Sequence, residues 1–173
     1  MSINSYPTVF QIGHKAIEGI FNSPVVVEEK VDGSQFSFGV VDGELQCRSK
    51  GKQLILDAPE KMFIRAVESA RQLSANLHPD WIYRGEYLEK PKHNALAYDR
   101  VPTMHIIGFD IVTGPETYLT PEEKRAEFER IGLECVPCLF TGTVTGIEMF
   151  NSFLERTSVL GGKKKEGVVV KNY

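Results

Sequence analysis

The stretch VEEKVDG, Val27 to Gly33, places one lysine, Lys30, at the end of an apolar, β-branched run, with two glutamates before it and Asp32 two residues after it. A lysine amine is a nucleophile only when deprotonated, a form that burial or neighbouring cations favour. Lys30 at the mouth of a buried strand is therefore a candidate for covalent chemistry. Asp32 is near enough to position the amine, but its own charge favours the ammonium, so cations from elsewhere must offset it. KVDG alone is weak, because a strand-edge lysine usually only reaches for solvent.

Other charged residues fall in similar settings. Glu86 in YRGEYL and Glu166 in KEGVVV each adjoin a glycine on a strand-like segment, where backbone can approach a ligand closely. Arg48 in CRSKG, Phe109 in IGFDI and Lys171 at the end of EGVVVK add two cations and an aromatic ring. Lys163, Lys164 and Lys165 read as a solvated basic turn, and His93, with Lys92 and Arg100, lies in a basic loop suited to a nucleic-acid end. Cys135 and Cys138 form one CVPC, short of the four ligands zinc wants and placed on a strand, so a structural role is expected.

The elements that must hold these residues follow from composition and period. VVVEE (Val25 to Glu29) and QFSFGVV (Gln35 to Val41) have strand composition, and Asp42-Gly43 turns the chain into ELQCRS, Glu44 to Ser49. Between Pro59 and Leu77, the residues Phe63, Ala66, Val67, Ala70, Leu73 and Leu77 recur at helical spacing and predict an amphipathic helix on a sheet. WIYRGEYL (Trp81 to Leu88) and TMHIIGFDIV (Thr103 to Val112) read as strands joined by the polar loop EKPKHNALAYDRVP, long enough to suggest a function. In the second of them Ile107, Phe109 and Ile111 alternate onto one face.

Thr120 and Glu123 around Pro121 form a capping box for a helix that Gly132 closes, and Thr145 with Glu148 is expected to open another. LECVPCLF and EGVVVKNY complete the strands. Hairpins recur and helices do not alternate regularly with strands, which points to a mixed, largely antiparallel α+β domain.

At 173 residues the chain fits one compact domain. A net charge of −3 excludes a uniformly basic nucleic-acid coat but leaves room for a basic groove. No apolar run approaches the roughly 20 residues that cross a bilayer, and three cysteines are too few for a disulfide framework, so a cytoplasmic protein with reduced thiols and no membrane contact is expected.

In chain order, KVDG (Lys30 to Gly33), CRSKG (Cys47 to Gly51), YRGEYL (Tyr83 to Leu88), IGFDI (Ile107 to Ile111) and EGVVVK (Glu166 to Lys171) resemble the covalent nucleotidyltransferases. These are the ATP-dependent polynucleotide ligases and mRNA capping enzymes, and the resemblance spans nearly the whole chain. On EEKVDG, CRSKG and the linker PKHNALAYDRVP it is most similar to the ATP-dependent RNA ligases. DNA ligases share two of the patterns but usually add an oligonucleotide-binding barrel, for which these residues leave no room.

The resemblance implies an α+β, ATP-grasp-like nucleotidyltransferase (adenylylation) domain over residues 1–173, with mainly antiparallel sheets and flanking helices. It implies ATP and Mg2+ as cofactors, RNA bearing 5′-phosphate and 3′-hydroxyl ends as partner, and a monomer. Lys30 would become a lysyl adenylate and Glu29 would hold the adenine edge. Arg48 would reach ribose or phosphate, Glu86 the ribose hydroxyls, and Phe109 the adenine face. Glu166, with Glu86, would bind the metal, and Lys171 would lie against the α-phosphate.

Two departures stand out: Gln35 occupies a position where many RNA ligases carry asparagine, and the family's last lysine-bearing strand should follow EGVVVK, whereas the sequence stops at Tyr173. Either the chain is truncated before that strand or the remaining cations come from elsewhere. The competing readings are a DNA ligase core, a capping-type nucleotidyltransferase and a non-catalytic nucleic-acid-binding relative.

Overall fold

The computed structural model describes residues 2–146, 148–162 and 165–172. The strands are β1 (Val25–Lys30), β2 (Ser34–Val41), β3 (Glu44–Ser49), β4 (Ile82–Tyr87), β5 (Ile106–Gly114), β6 (Thr117–Tyr118), β7 (Glu134–Cys135), β8 (Cys138–Gly142) and β9 (Gly167–Lys171). The α-helices are α1 (Ile64–Leu73), α2 (Pro121–Arg130) and α3 (Met149–Leu154). A larger sheet runs β3-β2-β4-β5-β6, antiparallel throughout, with β7 added parallel to β5; a smaller antiparallel sheet runs β8-β1-β9. The expected α+β class is the observed one.

β1 and β2 are consecutive yet lie in different sheets, so the chain crosses from one sheet to the other just after Lys30. Asp42 and Gly43, both at positive φ (51° and 82°), make the tight turn that pairs β2 with β3.

Alternation along the strands gives each sheet an apolar packed face and a second face where polar and charged side chains gather, and the two polar faces meet at Lys171 and Asp110. In the larger sheet, Phe36, Phe38, Cys47, Tyr83, Tyr87, Ile106 and Ile111 form the core with α1 and with Phe128 of α2. All six apolar positions expected of the helix between Pro59 and Leu77 are in that core. The α-helix itself is shorter, because the flanks Lys61–Phe63 and Ser74–Asn76 wind as 3-10 turns.

The smaller sheet packs Val25, Val27, Val168 and Val170 against Phe150 and Phe153 of α3. Full burial of each such side chain contributes about 1.5–3 kcal/mol. The opposite faces carry Gln35, Ser37, Arg48, Arg84 and Glu86 from the larger sheet, and Glu28, Lys30 and Lys171 from the smaller.

Four local expectations are corrected. LECVPCLF is two strands, because Val136-Pro137 leaves the larger sheet at β7 and enters the smaller at β8. The Val136 N–H donates to Gly108 O and the Glu29 N–H to Pro137 O, so CVPC stitches the sheets together. Burial pushes the Cys135 thiol up to about 11, the reverse of a reactive thiolate, in keeping with a structural role.

Thr120 and Glu123 form the expected capping box. Thr145 and Glu148 do not: Glu148 is already helical and makes no side-chain cap, while the Thr145 N–H and hydroxyl approach Met149 Sδ. TMHIIGFDIV begins as a 3-10 turn over Thr103–His105, with Met104 and His105 at positive φ, and becomes a strand only at Ile106.

Finally, Arg84 faces Asp110 and Gly85 faces Gly108, which makes Phe109 the extra residue of a β-bulge. The bulge breaks the period of two. Ile107 therefore packs with Val31, Leu88, Tyr98, Val136 and Leu160, whereas Ile111 packs on the α1 side. Gly108 beside it is required, since a Cβ there would stand 2.2 Å from the Phe128 ring.

Candidate active site

Lys30 is the last residue of β1, opposite Gly167 of β9. The five strand residues before it are buried, but its own side chain is 51% exposed, because the strand leaves the core at that residue. The expected buried amine is thus not found. What it has is a partner, with Nζ 3.3 Å from Glu166 Oε1.

Glu86, on β4 across from Gln35, belongs to the same cluster. Burial, then the negative charge of Glu166 and more weakly that of Asp32, push its carboxyl up to about 8, against the opposing pull of Lys30 and Lys50. Four of the sequence elements, KVDG, CRSKG, YRGEYL and EGVVVK, therefore converge on one place.

The donor set suits a hard divalent cation. The Glu86 carboxyl, whose proton affinity is raised by burial and by the charge of Glu166, is relieved by positive charge between the two. Among the described residues no group of three metal-ligating side chains exists, so Glu86 and Glu166 would supply only part of a coordination shell. The remainder would fall to water and phosphate, the pattern magnesium favours.

Asp32 does a different job from the one its spacing suggests. Its Oδ2 accepts from the Leu96 N–H at 2.8 Å and its Oδ1 from Asn94 Nδ2 at 3.3 Å, while its own N–H donates to the Tyr98 hydroxyl at 2.7 Å. It pins the polar loop beside the turn that follows Lys30. His93 helps: Nδ1 accepts from the Glu89 N–H, which leaves Nε2 as donor to Ser34 Oγ at 2.8 Å in the neutral ring. Arg100, expected to face nucleic acid, instead forms a two-pronged pair with Glu134 at 2.7 and 2.9 Å.

A second charged cluster lies farther along the same strands. Lys171 Nζ is 2.6 Å from Glu28 Oε1, 3.2 Å from Asp110 Oδ2 and 2.7 Å from Phe109 O. Burial opposes its charge, but Asp110 and Glu28 outweigh burial and hold Lys171 above the ordinary lysine range. Lys124 of α2, only 1% exposed, reaches Glu28 Oε2 at 2.5 Å and Phe109 O at 2.8 Å. The Phe109 ring meets Tyr6 edge to face at 5.0 Å, and Lys171 Nζ lies 5.4 Å from its centre. The Tyr6 hydroxyl donates to Asp110 Oδ2 at 2.5 Å, and burial followed by Asp110 pushes that phenol up.

Besides Phe109 and Lys171, two further expected contacts, Glu29 and Arg48, are not brought to the cluster at Lys30. Glu29 points to the opposite face of β1, as alternation requires, and its carboxylate accepts from Ser158 Oγ at 2.5 Å and the Val159 N–H at 3.0 Å. Arg48 shares the polar face with Ser37 and Arg84 but extends toward Ile3 O at 3.5 Å. Lys165 is not solvated: it is 6% exposed, and its Nζ donates to the carbonyls of Phe153, Arg156 and Thr157. Lys163 and Lys164 lie outside the described residues.

Glu28, Lys124, Asp110, Tyr6 and Arg84 are residues of this region that spacing arguments missed. Lys124 left a trace: it lies four residues before Phe128, on the helix face that packs against β5, where an apolar side chain is expected. Arg84, 4% exposed, donates to Asn4 O and Ser37 Oγ, and its guanidinium lies over the Tyr6 ring at 5.6 Å. The N-terminal segment thus covers the polar face of the larger sheet, and no periodicity announced it.

Comparison with known proteins bears on the family and the fold. Residues 23–173 match the family model described as RNA ligase. No curated protein matches the sequence. Among solved structures, a Naegleria gruberi RNA ligase mutant with ATP and Mn is similar at a TM-score of 0.73 and 18% identity, over 98% of this chain and 52% of that one. An archaeal ATP-dependent RNA ligase is similar at 0.71 and 21%, over 98% and 45%. The Naegleria gruberi enzyme with PPi is similar at 0.68 and 19%, over 99% and 55%. At these identities the likeness is one of fold, and the chain spans about half the length of the structures it matches.

Proposed function

Because the chain belongs to the RNA ligase family, we propose that it is an ATP-dependent RNA ligase that works through a lysyl adenylate on Lys30. The amine of Lys30, having lost a proton, gives its lone pair to the α-phosphorus of ATP. An N–P bond forms, the P–O bond to the β-phosphate breaks, and the electron pair leaves with pyrophosphate. AMP then passes to an RNA 5′-phosphate, and a 3′-hydroxyl attacks the activated end and releases AMP. One hard condensation becomes three easier transfers.

The observation that carries this reading is the meeting of Lys30 at the end of β1, Glu86 on β4 and Glu166 just before β9. Bound at Glu86 and Glu166, a divalent cation, Mg2+ on this reading, supplies positive charge that offsets the phosphates. Glu166 would hold that cation together with Glu86, and a Glu166 so engaged would leave the Lys30 amine free to attack. Asp32 serves by fixing the loop beside the KVDG turn. Phe109 offers a ring for the base, and Lys171 a cation for the α-phosphate, where charge builds in the transition state.

Sealing assays test the reading. Nicked duplexes joined through RNA and DNA 3′-hydroxyl strands, each with ATP or GTP, should show sealing of RNA ends with ATP. Preference for GTP, or for all-DNA nicks, would assign the chain to another branch of nucleotidyl transfer.

A further inference from the structure

Lys124 and Lys171 share the same partners. Lys171 Nζ has three acceptors within 3.2 Å, namely Glu28 Oε1, Asp110 Oδ2 and Phe109 O. Lys124 Nζ reaches the other oxygen of Glu28 at 2.5 Å, the same Phe109 carbonyl at 2.8 Å and Asp110 Oδ1 at 3.9 Å. The two lysines differ in access: the Lys124 side chain is 1% exposed, that of Lys171 11%. The Lys124 ammonium is enclosed, and that of Lys171 is the more accessible of the two.

Lys171 as found has its ammonium fully engaged, so contact with a phosphate requires it to leave acceptors that are themselves buried. Glu28 and Asp110 are 1% and 2% exposed, and a buried carboxylate stripped of its cation is strongly disfavoured. Strand geometry shows where the movement leads. Lys30 pairs with Gly167, four residues before Lys171 on β9, which separates the two lysines by roughly 13 Å along the strands. Glu28 lies on the same face of β1 between them, opposite Val169. A phosphate that reaches from Lys30 along this face therefore competes with Glu28 for Lys171.

Resting on the ligase reading above, we propose that Lys124 is a positioning residue that keeps Glu28, Asp110 and the Phe109 bulge in place when Lys171 turns from them to the α-phosphate. Lys171 is released because every acceptor it leaves retains Lys124. Asp110 also keeps the Tyr6 hydroxyl. The Phe109 carbonyl stays anchored, so its ring holds its place while the cation moves.

The test is a double-mutant cycle on the 173-residue chain, read as the single-turnover rate of adenylate formation at saturating ATP, the ATP concentration for half-maximal rate, and the thermal midpoint. Lys124→Met is expected to slow the maximal rate about 10- to 100-fold, with little change in the half-saturating concentration. In a Lys171→Met background it should slow the rate no further, because its effect passes through Lys171.

Adding Glu28→Gln to Lys124→Met removes the carboxylate that needs a cation and should bring the rate back to within about threefold of wild type. This pair also serves if Lys124→Met alone does not fold. A wild-type rate for Lys124→Met, additive losses in the cycle, or no recovery in the folded double variant would overturn the proposal. If the wild-type chain forms no adenylate at all, the ligase reading itself is what fails.

Discussion

Lys30 Nζ stands 3.3 Å from Glu166 Oε1, a pair that joins the end of β1 to the residue just before β9. Both side chains are substantially exposed, so the contact itself adds less than about 1 kcal/mol to stability. Its value is positional. Glu166→Gln should unfold in urea at nearly the wild-type midpoint, yet form adenylate about 100-fold more slowly at fixed Mg2+. A large fall in the midpoint would make Glu166 structural.

Glu86 predicts a pH dependence. Its folded carboxyl titrates at about 8, above the roughly 4.3 of an unfolded glutamate. The folded form thus binds the proton more tightly, and the stability linked to it is complete below the unfolded value and lost as pH rises toward 8. Without ligands, Glu86→Gln should flatten the decline in thermal midpoint between about pH 5 and 8. In the presence of Mg2+ the sign reverses for binding, because only the carboxylate holds a cation. The Mg2+ concentration for half-maximal adenylylation should fall as pH rises through about 8, and a pH-independent requirement would remove Glu86 from the metal's shell.

Gly108→Ala tests the bulge. Its new methyl would meet the Phe128 ring at 2.2 Å, an overpacking that costs about 1–3 kcal/mol and displaces Phe109 next to it. Denaturant melts should show the loss, and nucleotide binding should weaken along with it. Pairing the change with Phe128→Leu should restore part of both. Full stability in the single variant would mean that α2 is not held against β5 at this glycine.

Asp32→Ala should free the polar loop. The Leu96 N–H now donates to the Asp32 carboxylate, and loss of such a bond to a charged acceptor costs about 1.5–3 kcal/mol locally. Hydrogen exchange at Leu96 should therefore accelerate markedly while β1 stays protected. Unchanged exchange there would separate Asp32 from the loop.

Much of this was legible in the residues. The six apolar positions around α1, the Asp42-Gly43 turn and the Thr120 capping box are local patterns, and the structure keeps them. KVDG, YRGEYL and EGVVVK named Lys30, Glu86 and Glu166, which do meet. What escaped depends on contacts distant in sequence. The bulge at Phe109 shifts Ile111 to the other face, and it is stabilised by Lys124, whose place on the apolar face of α2 hints at burial but does not name its partner. Tyr6 joins Asp110 across 104 positions, a pairing no local period can announce. Alternation alone would have placed Glu28, rather than Glu29, on the face of Lys30.

The most direct measurement is the intact mass of the chain before and after incubation with ATP and Mg2+, with fragment mapping of any adduct. A gain of one AMP on Lys30, abolished by Lys30→Ala, is the predicted result. A folded chain that gains no AMP, or carries it on another residue, would contradict the account.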